Sequence, residues 1–188
     1  MGADIRELFR RASESCGLRV LAVRDAEWRG GTPCSKWDVR ALVNHIVSEN
    51  LWVPPLFDGK TIDEVGDRFD GDVLGEDPKK AWRESSREAI RAVEAEGAIE
   101  SIVHLSFGDT PGEEYAYELF ADLLIHGWDV AKAIGADDSL DPELVHSCAQ
   151  WFDRREDVYR SVGAIGERVQ TEAADPQTQL LARFGRRR

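Results

Sequence analysis

The chain has 188 residues, 42% hydrophobic and 32% charged, enough for one globular domain with a buried core and a short appendage. Its formal net charge of −12 disfavours nucleic acid and anionic membrane surfaces as partners. No apolar run approaches the roughly 18 residues of a membrane span, and the N-terminus has neither a signal-peptide core nor the Ser or Thr that myristoylation needs at position 6, where Arg6 stands. The three cysteines, Cys16, Cys34 and Cys148, are far apart and form no CxxC pair. That argues against a disulfide framework or a thiolate zinc site, and reads as small buried hydrophobes in a reducing cytoplasm.

Ile5, Leu8, Phe9, Ala12, Cys16 and Val20 recur at spacings of three and four. They predict an amphipathic helix over residues 4 to about 26, with a bend or break at Gly17. Gly30-Gly-Thr-Pro33 is a loop. A second helix is expected from a Ser35 cap. It buries Val39, Leu42, Val43, Ile46, Val53 and Phe57, until Pro54-Pro55 breaks or kinks its last turn. His45 lies on the flank of that face with Trp52 and Leu56, a position where a histidine is as a rule structural. Residues 58 to 77 hold eight acidic residues without EF-hand spacing and read as a solvated loop. Asp77-Pro78 opens a third helix, which buries Trp82, Ser85, Ala89, Ala92 and Val93 and stops near Glu96 before Gly97. Ile99 to Phe107 reads as an extended segment or one strand of a hairpin, and Gly108-Asp-Thr-Pro-Gly112 as a turn.

A long helix comes next, from about Glu113 to Ile134, with Gly135 as its stop. Tyr115, Leu119, Asp122, Leu123, His126, Val130 and Ala133 share one stripe that faces the core. Asp141-Pro142 caps a further helix with Val145, Cys148, Ala149 and Phe152 inward. After Ser161 the pattern fades, although Leu180, Leu181 and Phe184 allow a short docked helix. Arg186, Arg187 and Arg188 read as a solvated end. The sum is an all-α, up-down four-helix bundle over residues 1–160, with a short extended segment, and an extension over 161–188 that packs on it.

Asp122 and His126 stand four apart on an inward stripe, and a buried carboxylate and imidazole are costly unless something satisfies them. A divalent metal would do so, and so would a hydrogen bond between the two. His45 adds a second helical histidine. Together the three offer N, O and N ligands from two facing helices. That suits zinc first, with a fourth position open, and leaves ferrous iron, nickel or manganese as alternatives. Glu118 and Asp129 flank the stripe, either to orient a ligand or as the polar edge of the helix. Trp52 and Trp128 either line a pocket or pack the bundle. His104 and His146 read as ordinary surface or core-edge residues. There is no HExxH, nucleophile elbow or phosphate loop, and Gly163-Ala-Ile-Gly166 is too short for one. No Cys or Ser has a His at a spacing that predicts contact, so no triad is expected.

Two segments carry a family resemblance: Cys34-Ser-Lys-Trp-Asp-Val-Arg-Ala-Leu-Val-Asn-His45, and Asp122-Leu-Leu-Ile-His-Gly-Trp-Asp-Val-Ala-Lys-Ala-Ile-Gly135. They resemble the metal-binding domain of mycothiol-dependent maleylpyruvate isomerase and its relatives, within the DinB/YfiT-like superfamily of four-helix bundles. The tail Gln179-Leu-Leu-Ala-Arg-Phe-Gly-Arg186 is similar to relatives that lack the isomerase's second domain. The resemblance implies His45, Asp122 and His126 as metal ligands. Asp122 stands where the isomerase has a glutamate and many relatives a histidine, so the metal is expected closer to this helix or more weakly held.

The resemblance further implies a cytoplasmic protein whose zinc-type centre activates a low-molecular-weight thiol of the mycothiol type against a small electrophile. The isomerase draws further groups from a C-terminal domain, and about 28 residues after Arg160 are too few for it. Maleylpyruvate isomerase activity itself is therefore not expected. Three readings stand at this point: a thiol S-transferase, a non-catalytic metal- or small-ligand-binding bundle with a stress or carrier role, and a bundle whose Asp122 and His126 only bond each other. A homodimer is left open.

Overall fold

A computed structural model describes residues 3–161, 163 and 165–188. Met1 and Gly2, where the myristoylation pattern would begin, and Ala164 of the Gly163–Gly166 segment lie outside the described residues. The chain is mainly helical, with eight α-helices and one two-stranded sheet among the described residues. None of the helices is long and apolar enough to cross a membrane.

Helix α1 (Ile5–Ala22) starts at Asp4, whose carboxylate accepts from the Arg6 amide, and a 3-10 turn comes after it at Asp25–Glu27. Gly17 does not break α1, contrary to expectation. It is a point of close approach, where a Cβ would stand 2.9 Å from the Trp82 indole nitrogen. Helix α2 (Val39–Phe57) starts four residues after the expected Ser35 cap, because Asp38 is the cap and accepts from the Ala41 amide. Pro54 and Pro55 lie in its last turns, where each removes one backbone donor without ending the helix.

The acidic stretch is less solvated than its composition suggests. A one-turn helix, α3 (Ile62–Val65), is held by a capping box between Thr61 and Glu64. Arg40 pairs with Asp72 at 2.8 Å, and Asn44 bonds the backbone of Gly71 and Val73. Val65 and Leu74 are buried.

Helix α4 (Pro78–Glu94) has the expected Asp77 cap, which accepts from Lys80. Strands β1 (Ile102–Leu105) and β2 (Gly108–Pro111) then pair antiparallel with Val103 opposite Thr110. Gly108–Pro111 is therefore a strand and not the expected turn. Helix α5 (Gly112–Ala133) continues from β2 without a linker. Only glycine fits at its first position, since a Cβ on Gly112 would lie 2.3 Å from the Ala98 carbonyl oxygen.

Helix α5 packs against α1, α2 and α6 (Pro142–Phe152), while α4 packs against α1 and α2. Fifteen of the 22 residues of α5 are buried, so its position fixes where its polar side chains point. Gly127 lets it approach α1, where a Cβ would meet Cys16 Cα at 3.3 Å. After α7 (Glu156–Ser161), the short α8 (Pro176–Arg183) docks on α6 through Leu180 and Leu181. Phe184 stacks on Phe152 at 4.1 Å. Of the arginine-rich end, Arg187 and Arg188 are exposed as expected, but the Arg186 side chain keeps only 15% exposure and reaches back to α5.

Candidate metal centre

The packing of α2 on α5 brings together His45, Asp122 and His126. One oxygen of Asp122 lies 3.5 Å from Nε2 of His45 and 3.3 Å from Nε2 of His126. All three donor atoms fall within 4.8 Å of one another. Both contacts are longer than the ~2.7–3.2 Å of an N–H···O hydrogen bond. They match the edges, about 3.3–3.5 Å, of a tetrahedron whose corners stand about 2.0–2.1 Å from a zinc ion. The three donors could hold a divalent cation. Asp122 keeps 29% exposure, so the site is open on one side.

The electrostatics favour positive charge at this point. Burial alone would lower both imidazoles, but the Asp122 carboxylate outweighs it and raises His45 and, with help from Asp129, His126. Burial likewise works against ionised Asp122, and the two imidazoles overcome it, holding the carboxyl well below the usual range.

Behind His126 lies a second layer. Its Nδ1 stands 2.9 Å from Oδ2 of Asp129. Nδ1–H therefore donates there, which leaves Nε2 facing Asp122. Asp129 is fully buried and also accepts from Arg186 at 2.8 and 3.2 Å. Burial raises its carboxyl, but His126 and Arg186 outweigh this and hold it below the usual range. The Cys34 thiol donates to Asp129 at 3.2 Å and accepts from Arg186 at 3.0 Å. Cys34, His126 and Asp129 form a second close group of potential metal ligands. There the Arg186 guanidinium already takes the place of a cation.

Two expectations fail at this point. Cys34 is not a buried hydrophobe like Cys16 and Cys148, whose thiols burial pushes up to about 12. And a Cys–His approach does exist, with Cys34 Sγ 3.9 Å from His126 Nδ1, though sequence spacing gave no sign of it.

A cavity of about 580 Å³ opens over the centre. Trp37, Tyr115, Trp151, Tyr159 and Phe184 are among its walls, and Glu49 and Glu118 face it beside Asp122. The Trp37 ring also packs on the imidazoles of His45 and His126, at 4.8 and 5.8 Å. Burial, partly offset by the Tyr159 hydroxyl, pushes the Glu118 carboxyl up to about 7. Trp52 packs on Phe69 and Trp128 is fully buried, so neither lines the cavity. His104 pairs with Asp109 across the hairpin at 2.7 Å and His146 is exposed, both away from the centre.

Residues 9–131 match the model of the mycothiol maleylpyruvate isomerase N-terminal domain. The chain belongs to this family. Two uncharacterised proteins of Mycobacterium tuberculosis, MT0763 of strain CDC 1551 / Oshkosh and Rv0738 of strain H37Rv, are each 31% identical to it over 134 residues. The match covers 71% of this chain and 69% of each relative. No solved structure matches the chain. The isomerase N-terminal domain segment contains His45, Asp122, His126, Asp129 and Cys34. Trp151, Tyr159, Phe184 and Arg186, which complete the cavity and the second layer, lie beyond it.

Proposed function

We propose that this protein is a metal-dependent thiol S-transferase, joining a low-molecular-weight thiol of the mycothiol type to a small electrophile. His45, Asp122 and His126 hold a zinc-type cation on one side of an up-down bundle formed by α1, α2, α4 and α5. The observation that carries this reading is the convergence of three donor atoms from two helices on the floor of an open cavity. Membership in a mycothiol-related family supports the choice of thiol.

A divalent cation bound there supplies a Lewis acid that favours the thiolate form of a bound thiol. The chain's own residues do the rest. Asp129 and Arg186 hold the His126 ring in one tautomer and one orientation. Trp37 packs on both imidazoles and restricts water on that side. The aromatic wall positions an electrophile over the open face. In the reaction a C–S bond forms, the leaving group departs with its bonding electron pair, and the thiol proton passes to solvent.

The test is elemental analysis of protein purified without added metal, then mycothiol consumption with a chlorinated aromatic. Bound metal with thiol consumption, both lost in His45→Ala, is expected. No bound metal and no change in melting temperature on adding zinc or nickel would refute it. Metal binding without thiol consumption would make the protein a non-catalytic binder instead.

A further inference from the structure

The cavity wall restricts the charge of any molecule that can enter, an inference that rests on reading this cavity as the electrophile's site. Its lining includes four groups that can carry positive charge, Lys36, Arg186 and the imidazoles of His45 and His126, both of which face Asp122. Arg186 is already committed: Nε and Nη2 donate to Asp129, Nη2 also to Cys34, and Nη1 to the Phe184 carbonyl. Lys36 is exposed, on the loop before α2. Against these stand three carboxylates, Glu49, Glu118 and Asp122.

Glu118 sits one turn before Asp122 on α5, and its partner is the Tyr159 hydroxyl. The guanidinium that could neutralise it, Arg155, is bound to Glu114 at 2.5 and 2.7 Å instead. The imidazoles, or a bound cation in their place, are set against Asp122 and Glu49, and among the described residues Glu118 has no ion pair of its own. Around Glu118 the surfaces are flat and apolar, from Tyr115, Trp151 and Tyr159. A flat group can stack there, and an amine or hydroxyl on it can donate to the waiting carboxylate. A carboxylate brought to the same place meets the like charge of Glu118.

We propose that the cavity selects a small aromatic compound that is uncharged or carries an amine, with Glu118 as the specificity-determining residue, and rejects carboxylates. Dicarboxylates such as maleylpyruvate fall in the rejected class.

The test is titration of the full-length protein with benzylamine, benzyl alcohol and benzoate at about pH 8, where the amine is charged and Glu118 ionised. Binding is read from the fluorescence of Trp37 and Trp151, in metal-free and zinc-loaded protein and in Glu118→Gln. Benzylamine is expected to bind at least about tenfold more tightly than benzoate, a difference of about 1.4 kcal/mol, with benzyl alcohol between. Glu118→Gln should abolish the advantage of the amine over the alcohol. Benzoate binding as tightly as benzylamine in either metal state overturns the proposal. So does an amine preference unchanged in Glu118→Gln, or the absence of saturable binding by all three probes. The wild-type ratio is decisive by itself should the Gln variant not fold. Failure to bind metal would remove the S-transferase reading, yet the amine preference would remain measurable in the metal-free protein.

Discussion

Replacing Arg186 by Ala is the sharpest probe of the second layer. The substitution removes the hydrogen bonds from Arg186 to Asp129 and to Cys34, and leaves a fully buried carboxylate without its cation. Breaking a buried pair from one side costs about 3–5 kcal/mol. His126 still faces Asp129, so the lower end applies here, about 3 kcal/mol, or roughly 6–12 °C in melting temperature for a domain of this size. Against a typical stability of about 5–15 kcal/mol, the variant remains folded. The same change frees Asp129 to move and with it the ring of His126, and losing such support weakens metal affinity by about 10–100-fold. The assays are thermal melting and zinc competition against a chelating dye. Arg186→Lys should fall between wild type and Ala, because an ammonium keeps the charge but cannot span both oxygens and the thiol. A double-mutant cycle with Asp129→Asn should give a coupling well above about 0.5 kcal/mol. If Arg186→Ala melts within about 1 °C of wild type and binds zinc equally well, the chain of contacts from tail to metal ligand has no energetic content.

Cys34→Ser should leave the zinc stoichiometry unchanged, because Cys34 serves as a hydrogen-bonding neighbour of Asp129; loss of the metal would assign the cation to the Cys34, His126 and Asp129 group instead. The Glu118 carboxyl, raised to about 7, binds more protons in the folded than in the unfolded state between about pH 4.5 and 7. Stability therefore falls as pH rises through that window, and a melting series in which Glu118→Gln keeps the same slope would contradict the assignment. Gly112→Ala forces a methyl against the Ala98 carbonyl and should cost at least about 1–3 kcal/mol. Chemical denaturation showing wild-type stability would mean that the start of α5 gives way easily.

The inward pair on α5 was legible because helical period alone places Asp122 and His126 on one face. Placing His45 opposite them required knowing that α2 packs on α5, which the family resemblance supplied and periodicity did not. Asp38 and Ser35 are both good caps. Asp38 wins because the backbone before it is tied into a turn, with the Trp37 amide bonded to Cys34 and the Trp37 carbonyl to Thr32. The four residues of α3 are too few to show a period, although the Thr61 and Glu64 capping box that holds them could be read directly. β2 looked like a turn because Gly108 and Pro111 dominate its composition, and only pairing with β1 makes it a strand. Arg186 and Cys34 stand 152 positions apart, and no local pattern reveals such a contact. A three-arginine terminus is an ordinary solvated feature unless a buried carboxylate such as Asp129 awaits it.

The cavity draws on two stretches of chain that differ in kind. Its floor, with the three converging donors, comes from the family segment, while Trp151, Tyr159 and Phe184 come from the helices and tail after it. The cavity wall is thus shared: Trp37, Tyr115 and Glu118 belong to the family segment, and the other aromatic faces to the chain after it. A chimera that keeps residues 9–131 and exchanges the C-terminal portion would retain the three converging donors and Glu118 and alter the aromatic wall around them, provided the new tail also carries a cation to Asp129.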